Sequence, residues 1–198
     1  MRRPFLPSRR PLLAAAVALS TLGLGACGED PFQVRWSADV DTVTLFSLAR
    51  PDLGLGSAFN FDQRRILVVE TPGSTGEWDI AVDDDGARMS LVPPAALGID
   101  SRAGIAPLPG LTFDEVTEAP ADSAAYVVDE RVPVEIGTVY AVRTSEARGF
   151  FGELCVYYAK MVPTVANLED RTLEFFFDAS PVCNGRSLVP TETDPDSN

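Results

Sequence analysis

The apolar residues of this chain come in short runs that alternate with polar ones, and glycine, proline or aspartate ends each run within a few positions. Phe32-Gln33-Val34-Arg35-Trp36 alternates as a half-buried strand does, and Thr42–Phe46 and Arg65–Val69 are further β-branched or aliphatic runs. Trp78–Val82 and Ala87–Val92 flank Asp83-Asp84-Asp85-Gly86, and Asp-Gly between two such runs marks a hairpin, because glycine takes a positive φ without steric cost. Strand signals resume at Ala125–Val128, Val132–Ile136 and Thr138–Thr144, and Glu153–Val162 with Arg171–Phe177 forms a last pair. Helical spacing is nearly absent.

Roughly ten short strands with many turns predict an all-β fold, an antiparallel β-sandwich, with a β-barrel as the alternative. Pro133, Pro163 and Pro181 favour the sandwich, since proline suits edges and strand ends that a closed barrel lacks. Leu173, Phe175 and Phe177 share one face of their run and Thr172, Glu174 and Phe176 the other, which predicts one buried side with Phe176 as the exception, in contact with a loop or a partner. Residues 93–110 carry Pro93, Pro94, Gly98, Gly104, Pro107, Pro109 and Gly110 and read as a long irregular connection, with one helical turn at Pro94–Leu97. Thr112-Phe113-Asp114-Glu115 has the spacing of a capping box, so a short helix is expected over Phe113–Glu118, ended before Pro120. No internal repeat is present.

The first 27 residues are of another kind. A basic stretch, Met1–Arg10, precedes an apolar run, Pro11–Leu24, and small residues lead to Cys27. At ~1.5 Å per residue that run is about 21 Å long as a helix, short of the roughly 30 Å bilayer core, so it reads as a signal-peptide core. Leu24-Gly25-Ala26-Cys27 resembles the lipobox of bacterial lipoproteins. The resemblance implies diacylglycerol on the sulfur of Cys27, cleavage before it, further acylation of the new amino group, and a cell-envelope location. Gly28 after the lipidated cysteine resembles the class sent to the outer membrane. Ser8-Arg9-Arg10-Pro11-Leu12-Leu13 is similar to a twin-arginine export signal, and Sec or twin-arginine export both stay open. Gly23–Gly28 spells GxGxxG but follows no strand and belongs to no βαβ unit, so it carries no dinucleotide reading.

The expected organisation is a cleaved signal peptide at 1–26, a lipidated cysteine and short tether at 27–31, one β-rich domain at 32–190 and a disordered acidic tail at 191–198. Export places the protein in an oxidising compartment, and with Cys27 lipidated only Cys155 and Cys183 remain, which predicts that they pair. Their positions agree. If the terminal hairpin turns around residue 169, facing residues sum to 338; 155 and 183 meet that sum, as do Met161 with Phe177 and Asn167 with Arg171.

The chain holds 16 basic and 29 acidic residues, no histidine, and a formal charge of −13. Four arginines and no acid lie before Cys27, so the mature part keeps 12 basic and 29 acidic residues, a formal −17. Such a surface repels nucleic-acid phosphates and anionic headgroups, so no nucleic-acid partner is expected. Missing histidine removes Ser-His-Asp and Cys-His mechanisms, imidazole haem ligation and nearly all zinc chemistry. No cofactor and no metal site are expected. Asp83–Asp85 lacks the D-x-D-x-D-G spacing of a calcium loop and reads as a solvated turn, and Asp39 with Asp41 gives no firmer signal. Lys160, the sole lysine, lies in no S-x-x-K motif and is expected to reach solvent from its strand. Gly73-Ser74-Thr75-Gly76 is a turn and not a G-x-S-x-G elbow.

Tyr140–Thr144 followed by Tyr157–Lys160 resembles a hairpin recurring in β-sandwich lipoproteins, among them secreted haem binders that clasp haem with two histidines. Lacking histidine, this chain takes at most the scaffold from that resemblance. The expectation is a lipid-anchored envelope protein that binds or supports a partner without catalysis: an envelope protein, an outer-membrane assembly or a glycan, met through strand edges and aromatics such as Tyr157 or Phe176. The alternative is an envelope hydrolase working with carboxylates alone. A deep cleft with facing carboxylates would favour the enzyme, and a filled interior the binder.

Overall fold

The computed structural model describes Trp36, residues 40–149 and residues 151–190, all within the unit Val34–Asn198. The signal peptide, Cys27, the tether, the expected strand 32–36 apart from Trp36, Asp39 and the tail 191–198 lie outside the described residues. The strands are β1 Asp41–Phe46, β2 Ala58–Asn60, β3 Arg65–Leu67, β4 Ile80–Asp84, β5 Met89–Val92 and β6 Gly104–Leu108. They continue with β7 Val132–Pro133, β8 Val139–Arg143, β9 Ala147–Arg148, β10 Leu154–Cys155, β11 Tyr158–Asn167 and β12 Thr172–Ala179. All pairings are antiparallel. One sheet runs β1-β12-β11-β8-β6 and the other β3-β2-β4-β5-β7, with β9 and β10 forming a separate two-stranded ribbon. The two sheets pack face to face without closing, so the fold is a β-sandwich and not a barrel.

The interior between the sheets is aromatic at its centre. Leu173, Phe175, Phe177 and Ala179 of β12 point inward, while Thr172, Glu174, Phe176 and Asp178 are half-buried on the other face. The ring of Phe59 meets those of Phe61, Phe175 and Phe177 edge-on at 5.0, 5.8 and 4.9 Å. Edge-to-face contacts of this kind add to the area burial of the rings. The outer faces are covered as well. Trp78, Ala81, Ala58, Leu67 and Val92 make a second apolar layer behind the β4 sheet, and Val116, Val162 and Leu188 another behind β11.

The Asp83–Gly86 hairpin forms, with Gly86 at φ +83°. The helical turn at Pro94–Leu97 is a 3-10 turn closed by Gly98 in the left-handed region. Pro133 and Pro107 lie on the edge strands β7 and β6. Pro163 lies past the end of β8's ladder, where β11 pairs only with β12.

Five expectations are corrected. The connection 93–110 contains β6, whose ladder to β8 spans Gly104–Leu108. Ala125–Val128 is no strand: Ser123–Ala125 is a 3-10 turn and Val127 makes a single bridge to Ile105. Glu153–Val162 is broken into β10 and β11. The helix at Phe113–Glu118 is a turn. Half of its capping box forms, the Thr112 N–H donating to Glu115 Oε2, but Lys160 Nζ takes the carbonyls of Phe113 and Val116, and six residues hold little helix of their own. In the terminal hairpin Met161 faces Phe177 as expected, yet Asn167 faces Thr172 and not Arg171. A one-residue bulge between Pro163 and Val165 moves the register, because proline cannot donate to the ladder.

Candidate functional site

Polar side chains gather at one end of the sandwich, where β8 ends, β11 begins and the β2–β3 turn closes. There the β8–β11 hairpin outruns its sheet. Arg143 pairs with Tyr158, the Thr144 N–H donates to the Tyr157 carbonyl, and the chain continues as the β9–β10 ribbon with Ala147 opposite Cys155 and Arg148 opposite Leu154. Beside the ribbon lies a cleft of about 630 Å³ lined by Gly76, Asp100, Ser101, Arg102, Ser145, Glu146 and Leu154. A second lobe of about 330 Å³ shares Gly76, Ser145 and Glu146 and reaches Asn60, Asp62, Glu77, Asp79 and Arg148.

Asp79 is the buried carboxylate of the second lobe, 0% exposed. Its Oδ2 accepts the Phe61 N–H and its Oδ1 the Ser145 N–H, both at 2.8 Å. Burial pushes its pKa up to about 7; the two N–H donors pull it down, and the charge of Asp62 adds to the rise. Asp62 is solvent-accessible, yet partial enclosure of its carboxyl raises its pKa too. Ser145 is the hinge between the lobes, its hydroxyl 2.9 Å from that of Ser101, while Arg102 and Glu146 pair across the mouth at 3.6 Å.

The sulfurs of Cys155 and Cys183 are bonded, with Cα atoms 4.9 Å apart. The bridge ties the base of the ribbon to the turn after β12, where the Asn184 N–H donates to the Val156 carbonyl. Glu153 Oε1 lies 3.8 Å from the sulfur of Cys155. Together with Cys183 the three make the closest ligand-type grouping among the described residues, but a disulfide offers no thiolate to a metal.

Asp83, Asp84 and Asp85 diverge, as their spacing predicts. Asp83 pairs with Arg131 and is mostly buried, Asp84 Oδ1 caps the Gly86 N–H, and Asp85 Oδ1 accepts from Ala87 and Arg88, which lowers its pKa. Only the second half of this turn is solvated. Asp41 pairs with Arg64, which also reaches Asp178 at 3.3 Å.

Lys160 corrects the expectation of a solvent-reaching tip. It is 3% exposed, donates to the Phe113 and Val116 carbonyls at 2.9 Å each, and lies 4.3 Å above the Phe113 ring. Burial lowers its pKa. Phe176 packs edge-on against Phe113 at 4.9 Å, so the odd member of its strand meets a loop. Tyr157 is half-buried at the root of the ribbon. Sequence reasoning missed Asp79: nothing in the run Trp78–Val82 singles it out, and it is buried because the fold brings the N–H groups of Phe61 and Ser145 onto its carboxyl. No family model matches the chain, and no curated protein matches it.

Proposed function

We propose that the protein is a lipid-anchored cell-envelope binding module, held at the outer membrane through Cys27, that takes a hydroxyl-rich glycan in the cleft beside the β9–β10 ribbon without catalysis. The order of basic stretch, apolar run and lipobox supports the anchor. The observation that carries the binding reading is the division of labour around Ser145. The buried carboxylate, Asp79, spends one oxygen on each of two backbone N–H groups and fastens the loop. Other polar groups line the wall: Asp100, Ser101 and the Arg102–Glu146 pair offer it acceptors and donors. Sugar hydroxyls, which both donate and accept, match such a wall, and an apolar ligand does not.

One observation favours the hydrolase reading: Asp62 and Asp79 both have raised pKa values in one lobe. The two readings separate in one titration. Calorimetry of the mature domain against purified envelope polysaccharide is expected to give binding that Arg102→Ala weakens, with no reducing ends released. Release of reducing ends that Asp62→Asn abolishes supports hydrolysis, and no heat with any glycan rejects the glycan. Fatty-acid labelling of wild type and Cys27→Ala tests the anchor: label is expected in the first and absent in the second.

A further inference from the structure

We infer that the tip of the β9–β10 ribbon rests on the lipid surface that holds the anchor, so that the cleft beside the ribbon lies at the membrane-facing end. The inference rests on the reading that Cys27 carries lipid, and it adds which end of the domain faces the bilayer.

Two independent features meet at the same end of the sandwich. The first is where the chain enters. Trp36 is 5% exposed and its Nε1 donates to Asp178 Oδ2 at 2.9 Å. Asp178 is next to last in β12, and β1 begins at Asp41 opposite Phe177, so the incoming chain reaches the domain where β12 ends. The second is the ribbon. In β11, Ala159 faces Ala179 and Tyr158 faces Arg143, so the end of β12 and the root of the ribbon lie side by side. From there the ribbon projects past the sheet to a turn closed by the Gly149 N–H donating to the Glu153 carbonyl. That turn presents Phe151 at 83% exposure, and Leu154 beside it is 59% exposed.

Chain lengths decide the orientation. Nine Cα–Cα steps separate Cys27 from Trp36, at most ~32 Å at about 3.6 Å per step. The far end of the sandwich, at Asn167 and Thr172, lies one ten-residue strand away, about 33 Å at ~3.3 Å per residue. Standing the domain upright on that far end needs a fully stretched tether, whereas standing it on the ribbon end leaves slack. A phenylalanine at the tip suits the interfacial layer, where an apolar ring leaves water while the turn's polar backbone stays wet. The formal −17 of the mature chain selects neutral lipid over anionic lipid.

The test uses the lipidated full-length protein in phosphatidylcholine vesicles whose acyl chains carry bromine, a contact quencher of tryptophan. Phe151→Trp is compared with Leu168→Trp, an exposed position in the β11–β12 turn at the opposite end. Wild type, with Trp36 and Trp78, supplies the background. The added emission at position 151 is expected to be quenched and that at 168 unchanged. Equal quenching at both positions, or none at 151, overturns the orientation. Fatty-acid labelling of the same preparation tells the two failures apart: label without quenching at 151 defeats the orientation and leaves the anchor standing, and absence of label defeats both.

Discussion

The backbone N–H of Ser145 donates to Oδ1 of Asp79 at 2.8 Å across 66 residues of sequence, and the other oxygen of that carboxyl holds Phe61. One buried side chain thus ties the root of the ribbon to the start of β4 and the end of β2, and the cleft keeps its shape through it. Burial pushes the pKa of this carboxyl up to about 7 from its ordinary 3.8.

Stability should therefore fall with pH across that interval. Between about pH 4 and about pH 7 the folded state keeps a proton that the unfolded chain has lost, so the folded state is progressively disfavoured as pH rises, and the loss levels off above about 7. Asp79→Asn removes this dependence, and its single acceptor oxygen leaves one N–H unpaired at a cost of about 1–3 kcal/mol. Urea midpoints measured from about pH 4 to about pH 8 should decline for wild type and run flatter for the variant. Parallel slopes would contradict the assignment.

Breaking the Cys155–Cys183 bridge frees a closed loop of 29 residues, which on the chain-entropy model costs about 3.5 kcal/mol. The double variant Cys155→Ser, Cys183→Ser should lose about that much in denaturant melts, with the ribbon exchanging amide hydrogen first. Alkylation of both thiols in the unreduced protein would deny that the bridge exists in solution.

Adjacent phenylalanines should differ in cost. Phe177→Ala removes a fully buried ring at the centre of the aromatic cluster, at about 3–5 kcal/mol. Phe176→Ala loses one half-buried contact to Phe113 and should cost less than half as much. Equal losses in thermal unfolding would contradict the one-sided face of β12.

Lys160→Met takes the donor from two buried carbonyls, so the variant should lose about 1–3 kcal/mol, with faster amide exchange concentrated in residues 113–119. A side chain that merely reached solvent would change neither.

What the sequence discloses here follows from how local each feature is. The sandwich class and the Asp83–Gly86 hairpin rest on alternation and turn chemistry, the cysteine pair on cysteine count, compartment and hairpin register, and all three stand. The register held at Met161 and slipped at Asn167 because a single bulge next to Pro163 intervened. Three-residue β2 and proline-bearing β6 leave too little periodicity to see and exist through partners distant in sequence. Lys160 reads as solvated because alternation assumes one wet face, whereas the outer face of β11 is covered. Asp79 carries no signal because its partners, Phe61 and Ser145, come from elsewhere in the chain. The cleft had no sequence signal at all: Gly76, Asp100–Arg102 and Ser145 come together only when the ribbon folds over the sandwich end.

The central claim, that the cleft beside the ribbon is where this protein binds, is tested most directly by amide hydrogen exchange with and without purified envelope polysaccharide. Protection is expected in the segments holding Gly76, Asp100–Arg102 and Ser145–Glu146, with the far-end turn at Leu168–Arg171 unchanged. Protection confined to the far-end turn, or to the β3 edge at Arg65–Leu67, would contradict the account.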